Sequence, residues 1–551
     1  MIKFLAVVFT LFVASVGAGH TILYLETDKE DSNTRAISDQ TTRFTPVEGA
    51  DLRSRLDAAI KQARSRSKQS RFWTAYSFDV RAGVGVDILI VGSGGSRIDI
   101  NGVAHSSKYE TRNVGVFLLH ETDGSQVTRA EVYNLERPRD YSGYPVYWLG
   151  RATNDESLSF LKNLIATTRS SDVADSATDA IGLHDDQRVE GILKELIKSS
   201  SVEKVRITAI SWLGNFPGQV EYLAAIVRND RESVEVRKEA ADALGDSHDA
   251  AALTSLQTLY ADVNNREVKR EILDSIAESK DEAAAVRFLI KVTETEPDRE
   301  LRKEAIDGLG ESKDPASLKA LETLINDPNT DADLQQEAVD AISEKEPDVA
   351  VPLLVKFAKT HKSIRVRREA MDHLGEIPGQ LSFMADVARN ESENLDLRKE
   401  AIEAIGESQD SEAIKMLQTL YTETANREVR REILDAVSEG HDKEAALSFL
   451  MKVARSDEDQ KMRQKALSGL GQMNDDRAID ALFDLYGNER NEEKKEEIIE
   501  ALAESNTKRA LTKLIEVAKS DPSPKMRRKA IEALRESDDP EAAEFLEKIL
   551  R

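Results

Sequence analysis

Residues 236–245 read VRKEAADALG, from Val236 to Gly245. The string returns as LRKEAIDGLG at Leu301–Gly310, VRREAMDHLG at Val366–Gly375 and LRKEAIEAIG at Leu397–Gly406. Its Arg-like position recurs at Ala174, Arg206, Arg237, Lys269, Arg302, Gln335, Arg367, Arg398, Arg430, Arg463, Lys495 and Arg527, with gaps of 31 to 33 residues. A fixed period in this range marks a solenoid. Each period holds two apolar-striped segments. Leu301, Ala305, Ile306 and Leu309 stripe one helix, Gly310 is placed to stop it, and Pro315 opens the next with Leu318, Leu321, Leu324 and Ile325. Neither helix buries its stripe alone, so the units must stack.

A longer period lies on top. GNFPGQ at Gly214–Gln219 returns as GEIPGQ at Gly375–Gln380, and QTLYADVNNREVKREILDSIAES at Gln257–Ser279 returns, with changes, at Gln418–Gly440. Both pairs are offset by 161 residues, five units. Pro217 and Pro378 are expected to start the following helices, with a tighter connection there.

The rest of the chain differs in character. Residues 1–150 hold 18 Lys+Arg and 17 Asp+Glu, which leaves 58 and 84 in residues 151–551, so the formal charge of −25 belongs to the repeats. That field disfavours nucleic acid, whose phosphates need a basic footprint, and leaves basic proteins or peptides as partners. MIKFLAVVFTLFVASVGAGH at the start is read as a secretory signal cleaved near Ala18, too short in its apolar core to span a bilayer. Export to the periplasm or the medium follows, with no stable membrane insertion after cleavage. There is no cysteine, so disulfides and thiolate metal sites are excluded.

Residues 19–50 read as a flexible lead-in and 51–150 as a small α+β domain. Leu52, Leu56, Ala59, Ile60 and Ala63 fall on one helix face, with a basic face opposite. Strands are expected at Phe72–Val80, Val84–Val91, Arg97–Val103, Asn113–Thr122 and Val127–Leu135, the last two forming a hairpin about Asp123-Gly124 in an antiparallel sheet. Tyr141–Leu149 is expected as the joint to the solenoid at 151–551. The fold class is therefore mainly α, an α-solenoid of about eleven units behind a small α+β domain.

The VR/LR pair, the Glu-Ala after it, the closing Leu-Gly and the Asp-Pro or Asp-Asp before the next helix resemble HEAT repeats, in the short phycobilisome-lyase-type variant, over Arg151–Arg551. The layout resembles exported bacterial HEAT-repeat proteins with a β-rich front domain. The resemblance implies a superhelical array, usually a binding scaffold, and a ladder made by an Asp six residues before the Arg. Asp457/Arg463 and Asp521/Arg527 fit that spacing, Glu296/Arg302 approximately, and other units depart from it. Deoxyhypusine hydroxylase-like relatives hold iron with His-Glu pairs in the repeats. Here the only His-Glu is His120-Glu121 on an expected strand, where neighbours face opposite ways. No motif specifies a bilin groove. The eight histidines are scattered and show no metal-ligand spacing, and Gly92-Ser93-Gly94-Gly95 reads as a turn, not as a dinucleotide loop. No catalytic, cofactor or metal residue is assigned.

One constellation stands out. The second residue after the Arg slot is Glu239, Glu271, Glu304, Glu337, Glu369, Glu400 and Glu432, and three residues on lie Asp242, Asp274, Asp307, Asp340, Asp372, Glu403 and Asp435. Residues three apart share a helix face, so stacking makes two acidic rows beside a mostly basic row. One reading is a concave surface for a basic protein or peptide. The other is a solvated face stitched by its own ion pairs, each contributing about 0.2–1 kcal/mol. The expected function is a non-enzymatic protein-interaction scaffold. The alternatives are a bilin-lyase-like or other enzyme, with its site in the front domain or at Pro145–Trp148, and a structural spacer of the cell envelope.

Overall fold

The structure, a computed structural model, describes residues 43–66, 71–82, 113–136 and 139–550. The signal segment, most of the lead-in, the expected strands at 84–91 and 97–103 and the glycine turn at 92–96 lie outside the described residues. The chain divides into two compact units, Met1–Val189 and Glu190–Arg551.

In the first unit, β1 (Thr45–Pro46), β2 (Phe72–Ser77), β3 (Val114–His120), β4 (Val127–Asn134) and β5 (Val146–Arg151) form one sheet in the order β1-β5-β2-β3-β4. The expected hairpin is present: β3 pairs antiparallel with β4, and Gly124 takes the turn at φ +65°. β2 pairs antiparallel with β3, but β5 runs parallel to both β1 and β2, so the sheet is mixed. The stretch expected as a joint thus supplies most of an interior strand. Val146, Tyr147 and Leu149 are buried, and pairing on both edges satisfies backbone groups that water does not reach. β2 is buried on both faces, which is why FWTAYS reads as a run and not as an alternation. One face packs Phe44, Trp73, Phe117, Tyr133 and Leu135. The Arg139 guanidinium sits among these rings, 4.8 Å from the centroid of Trp73 and 4.9 Å from that of Tyr133, and pairs with buried Glu131.

Against β2 and β5 lies α1 (Leu52–Arg66), which buries Leu52, Leu56, Ala59 and Ala63. Part of its basic face is used within the unit. Arg55 donates to the Arg151 carbonyl at 3.2 Å and pairs with Glu156 at 3.5 Å. α2 (Asn154–Thr167) and α3 (Ser171–Gly182) begin the helical rhythm in chain order but are part of this first unit. The Tyr76 hydroxyl and the His184 ring both hydrogen-bond the Ser157 hydroxyl, at 3.0 and 2.8 Å.

The second unit is a run of helix pairs, from Val189–Ser199 with Glu203–Gly214 to Lys508–Ser520 with Pro524–Glu536, closed by Pro540–Leu550. The recurring string lies on the second helix of each pair, the motif helix. Side chains at helix starts explain the Asp-Pro and Asp-Asp signals. Asp314 accepts from the Ala316 amide with Pro315 at the first turn, and Asp298, Asp331 and Asp459 cap their helices in the same way. Successive motif helices lie closely along one another and form the tightly packed layer of the unit.

Two expectations are corrected. Gly310 does not stop its helix, which runs Arg299–Glu311 with Gly310 inside it at ordinary φ. A Cβ there would stand 3.0 Å from the Ala341 Cβ on the next motif helix; at Gly375 and Gly406 the distances to the Ala404 and Ala436 Cβ are 2.9 and 2.8 Å. The glycine recurs because adjacent motif helices touch at that turn. Pro217 and Pro378 likewise do not begin helices. Gly218 and Gly379 follow at φ +76° and +89°, which no helix accepts, so Pro-Gly makes a turn. Helices start only at Val220 and Leu381 and are nine residues long.

Candidate partner-binding surface

The Arg slot is structural. Arg237 and Arg398 are buried, and their Nε groups donate to the carbonyls of Val227 and Ala388, at 2.8 and 2.9 Å, near the ends of the preceding first helices. Arg367 does the same to Ala358 at 2.7 Å, and Gln335 to Ile325 at 3.0 Å. These donors occupy carbonyls that a helix end leaves without partners. The outer ends of the slot residues pair with an acid of the next unit: Arg206 with Glu232, Lys269 with Glu296 at 3.7 Å, Arg367 with Glu393 at 2.6 Å and Arg430 with Asp457 at 3.8 Å. Tyr260, Tyr421 and Tyr486 donate to Glu296, Asp457 and Asp521 at 2.7, 2.9 and 2.7 Å. A ladder between units therefore exists, and Glu232 and Glu393 take part in it although they miss the six-residue spacing.

The first acidic row is a second ladder. Lys238 pairs with Glu271 at 3.0 Å, Arg270 with Glu304 at 2.6 Å, Lys303 with Glu337, Arg368 with Glu400, and Lys399 with Glu432 at 3.3 Å. Gln336 donates to Glu369, filling the gap in the basic row. Each basic residue reaches the Glu of the following unit, so this row is stitched to its neighbours. Glu239 opens the row on Val234–Gly245, half-buried beside Lys238.

The second row is different. Asp435 pairs with Lys465 and Asp340 with His373 at 2.8 Å, while Asp242 opens the row half-buried. Asp274, Asp307 and Glu403 have no ion-pair partner among the described residues and face other carboxylates. Desolvation first, then a hydrogen bond with Glu304 and the charges of Glu304 and Glu271, push Asp274 up to about 8. Desolvation and then Glu337, Glu304 and Glu344 push Asp307 up to about 7. Desolvation and then Glu400 and Glu432 raise Glu403. These side chains remain more than a third exposed. Protein crowds them while solvent still reaches them.

A third acidic row went unread in the sequence. Glu278, Glu311, Glu344, Glu376, Glu407 and Glu439 each stand four residues after an acid of the second row, hence on the same face. Glu311 is raised by desolvation and then by Glu278 and Glu344, and Glu407 by desolvation and then by Asp372 and Glu439. The recurrence of Glu nine residues after the Arg slot was the available signal, written as Leu-Gly-Glu or Ile-Gly-Glu only at Glu311, Glu376 and Glu407. Asp372 is exposed and, with Glu369, Arg365, Arg368 and Glu400, lines a depression of about 270 Å³.

The histidines are not all bland. His120 and His184 are buried and pushed down to about 4 by desolvation, one hydrogen-bonded to Thr74 at 2.8 Å and the other to Ala180 at 2.6 Å. His120 and Glu121 do point apart, since Glu121 pairs with Arg71 at 2.8 Å. His373, however, converges with Asp340 and Glu369, their donor atoms lying within 4.8 Å of one another. Adjacent-residue spacing hid this group, because Glu369 and His373 are four apart on one helix and Asp340 comes from the previous unit. Among the described residues, no helix is long and apolar enough to cross a membrane.

The sequence matches the family model for HEAT repeats at residues 189–277, 262–342, 351–438, 381–471, 422–503, 447–533 and 488–551. No curated protein matches it in sequence. Among solved structures, yeast importin-β (Kap95p) is 13% identical, over 72% of this chain and 61% of that one, at a TM-score of 0.33. Human deoxyhypusine hydroxylase is 15% identical over 52% and 95%, at 0.20. The CpcE–CpcF complex of Nostoc phycocyanin lyase is 20% identical over 42% and 92%, at 0.22. The chain spans 45% to 64% of the length of the karyopherins it matches. With the family model covering 189–551 apart from 343–350, and with stacked helix pairs throughout that range, the chain belongs to the HEAT-repeat family.

Proposed function

We propose that this protein is a non-catalytic scaffold that holds a basic protein or peptide segment along the concave motif-helix face, after export through its N-terminal signal. One observation carries the reading. Once the first acidic row is spent on the inter-unit ladder, carboxylates of the second and third rows remain facing one another, and Asp274 and Asp307 are driven towards holding a proton near neutral pH. Crowded like charges of this kind are relieved by a cationic partner, and Lys or Arg side chains at roughly 10 Å intervals match stacked helices. A spacer has no need of carboxylates left facing one another. The test is anisotropy of a labelled Lys/Arg-rich peptide against the full chain, with an Asp/Glu-rich peptide as control. The basic peptide should bind, weaken at least tenfold between about 50 and 500 mM salt, and weaken again in D274N/E278Q/D307N/E311Q. Equal affinity for both peptides, or no response to those four changes, would refute the proposal.

A further inference from the structure

We propose that Asp340, Glu369 and His373 form a site for one divalent transition-metal ion of the zinc class, set between neighbouring motif helices. The proposal does not depend on the peptide reading above. Three potential ligand atoms, a ring nitrogen and two carboxylate oxygens, converge within 4.8 Å of one another. Zinc bonds nitrogen and oxygen at about 2.0–2.2 Å, so modest rotation of three half-buried side chains brings all of them onto one ion. Two ligands sit on Ile364–Glu376 and the third on Ala332–Ser343, so the ion would pin one unit to the next.

An independent observation comes from comparing the units. His373 stands six residues after its Arg slot. In the other motif helices from Val234–Gly245 onward that position is Ala243, Ser275, Gly308, Ala341, Ala404, Ala436, Gly469, Ala501 and Ala533. The position is small because an adjacent motif helix packs onto it, as Gly375 does onto Ala404. An imidazole stands where these nine helices carry a small side chain, although the motif helix Glu203–Gly214 carries Trp212 there. It hydrogen-bonds an Asp that the second acidic row already supplies. Glu369 is held by the Gln336 amide, the kind of outer contact that orients a metal ligand. Nearby cations are otherwise engaged, Arg368 with Glu400 and Arg365 with Asp333. One imidazole with two carboxylates suits zinc, manganese or iron better than calcium or magnesium, which take oxygen ligands. Three protein ligands leave a position of a four-coordinate ion to water.

The test is calorimetric titration of Zn2+ into the full chain in excess Mg2+, which occupies the exposed carboxylates. We expect one Zn2+ per chain with a Kd of about 10 µM or tighter, and a Co2+ spectrum of low-symmetry coordination. His373→Ala restores the residue found at this position in other units, so the fold is retained, as circular dichroism will check. It should weaken that binding at least thirtyfold and abolish the Co2+ spectrum, E369Q should weaken it at least tenfold, and H441A should leave it unchanged. Absence of a stoichiometric site, or a site of equal affinity in H373A, would show that His373 and Asp340 are a plain ion pair and overturn the proposal.

Discussion

The glycine that ends each motif string gives the sharpest test of how the units pack. Gly406 lies inside the helix Leu395–Glu407 at ordinary helical φ, so an alanine meets no backbone strain. In an open helix, Gly→Ala would stabilise by about 0.8–1 kcal/mol. At Gly406, though, the added Cβ would stand 2.8 Å from the Ala436 Cβ, 2.9 Å from its carbonyl oxygen and 3.1 Å from its Cα. Comfortable contact between carbon atoms is roughly 3.5–4 Å, so the two helices must part by about 0.7 Å. Inserting one carbon into a close-packed interface costs about 1–3 kcal/mol. Subtracting the helical gain leaves G406A destabilised by up to about 2 kcal/mol, the loss confined to the interface with Arg427–Glu439. Gly487 is the control, helical with nothing within 4 Å of its added Cβ. G487A should gain up to about 1 kcal/mol. A long array need not unfold in one step, so the assay is amide hydrogen exchange at the two helices of each interface, supported by urea melts. If G406A protects those amides as well as or better than G487A protects its own, the close-approach account is wrong and the glycine has another cause.

Three further outcomes follow from the same packing. Asp274 and Asp307 sit above their ordinary value in the folded chain, so between about pH 4 and pH 8 the folded state binds more protons than the unfolded one. Their contribution is full below the unfolded value and is lost as pH rises through 7 to 8; melting temperature should fall from pH 6 to pH 9, and less steeply in D274N/D307N, whose amides imitate the protonated acids. Arg398→Ala removes a buried side chain and the donor to the Ala388 carbonyl, so urea melts should show a loss of about 2–3 kcal/mol, with R398K recovering part of it. Tyr421→Phe deletes the hydroxyl bond to Asp457 and should cost about 1 kcal/mol, read as faster exchange in Lys443–Ser456.

Much of this architecture was written in one dimension. The period of 31 to 33 residues, the paired apolar stripes and the Asp caps are local or nearest-neighbour features, and a solenoid is built from such contacts alone. The hairpin at Asp123-Gly124 was legible for the same reason, since a turn and its two strands are contiguous. What stayed hidden depends on residues far apart in the chain. β5 finds β1 and β2 across long separations and runs parallel to both, which no local pattern announces. Gly310 looks like a helix stop in sequence, and only the position of Ala341 reveals a point of contact. In sequence the first acidic row reads equally as an open wall or as a stitched face, and only the reach of Lys238, Arg270 and their successors one unit forward decides it. Composition supplies the charges, but whether a carboxylate meets a cation, another carboxylate or a histidine is decided by which helix stacks beside it, as Asp274 and Asp340 show on one and the same row.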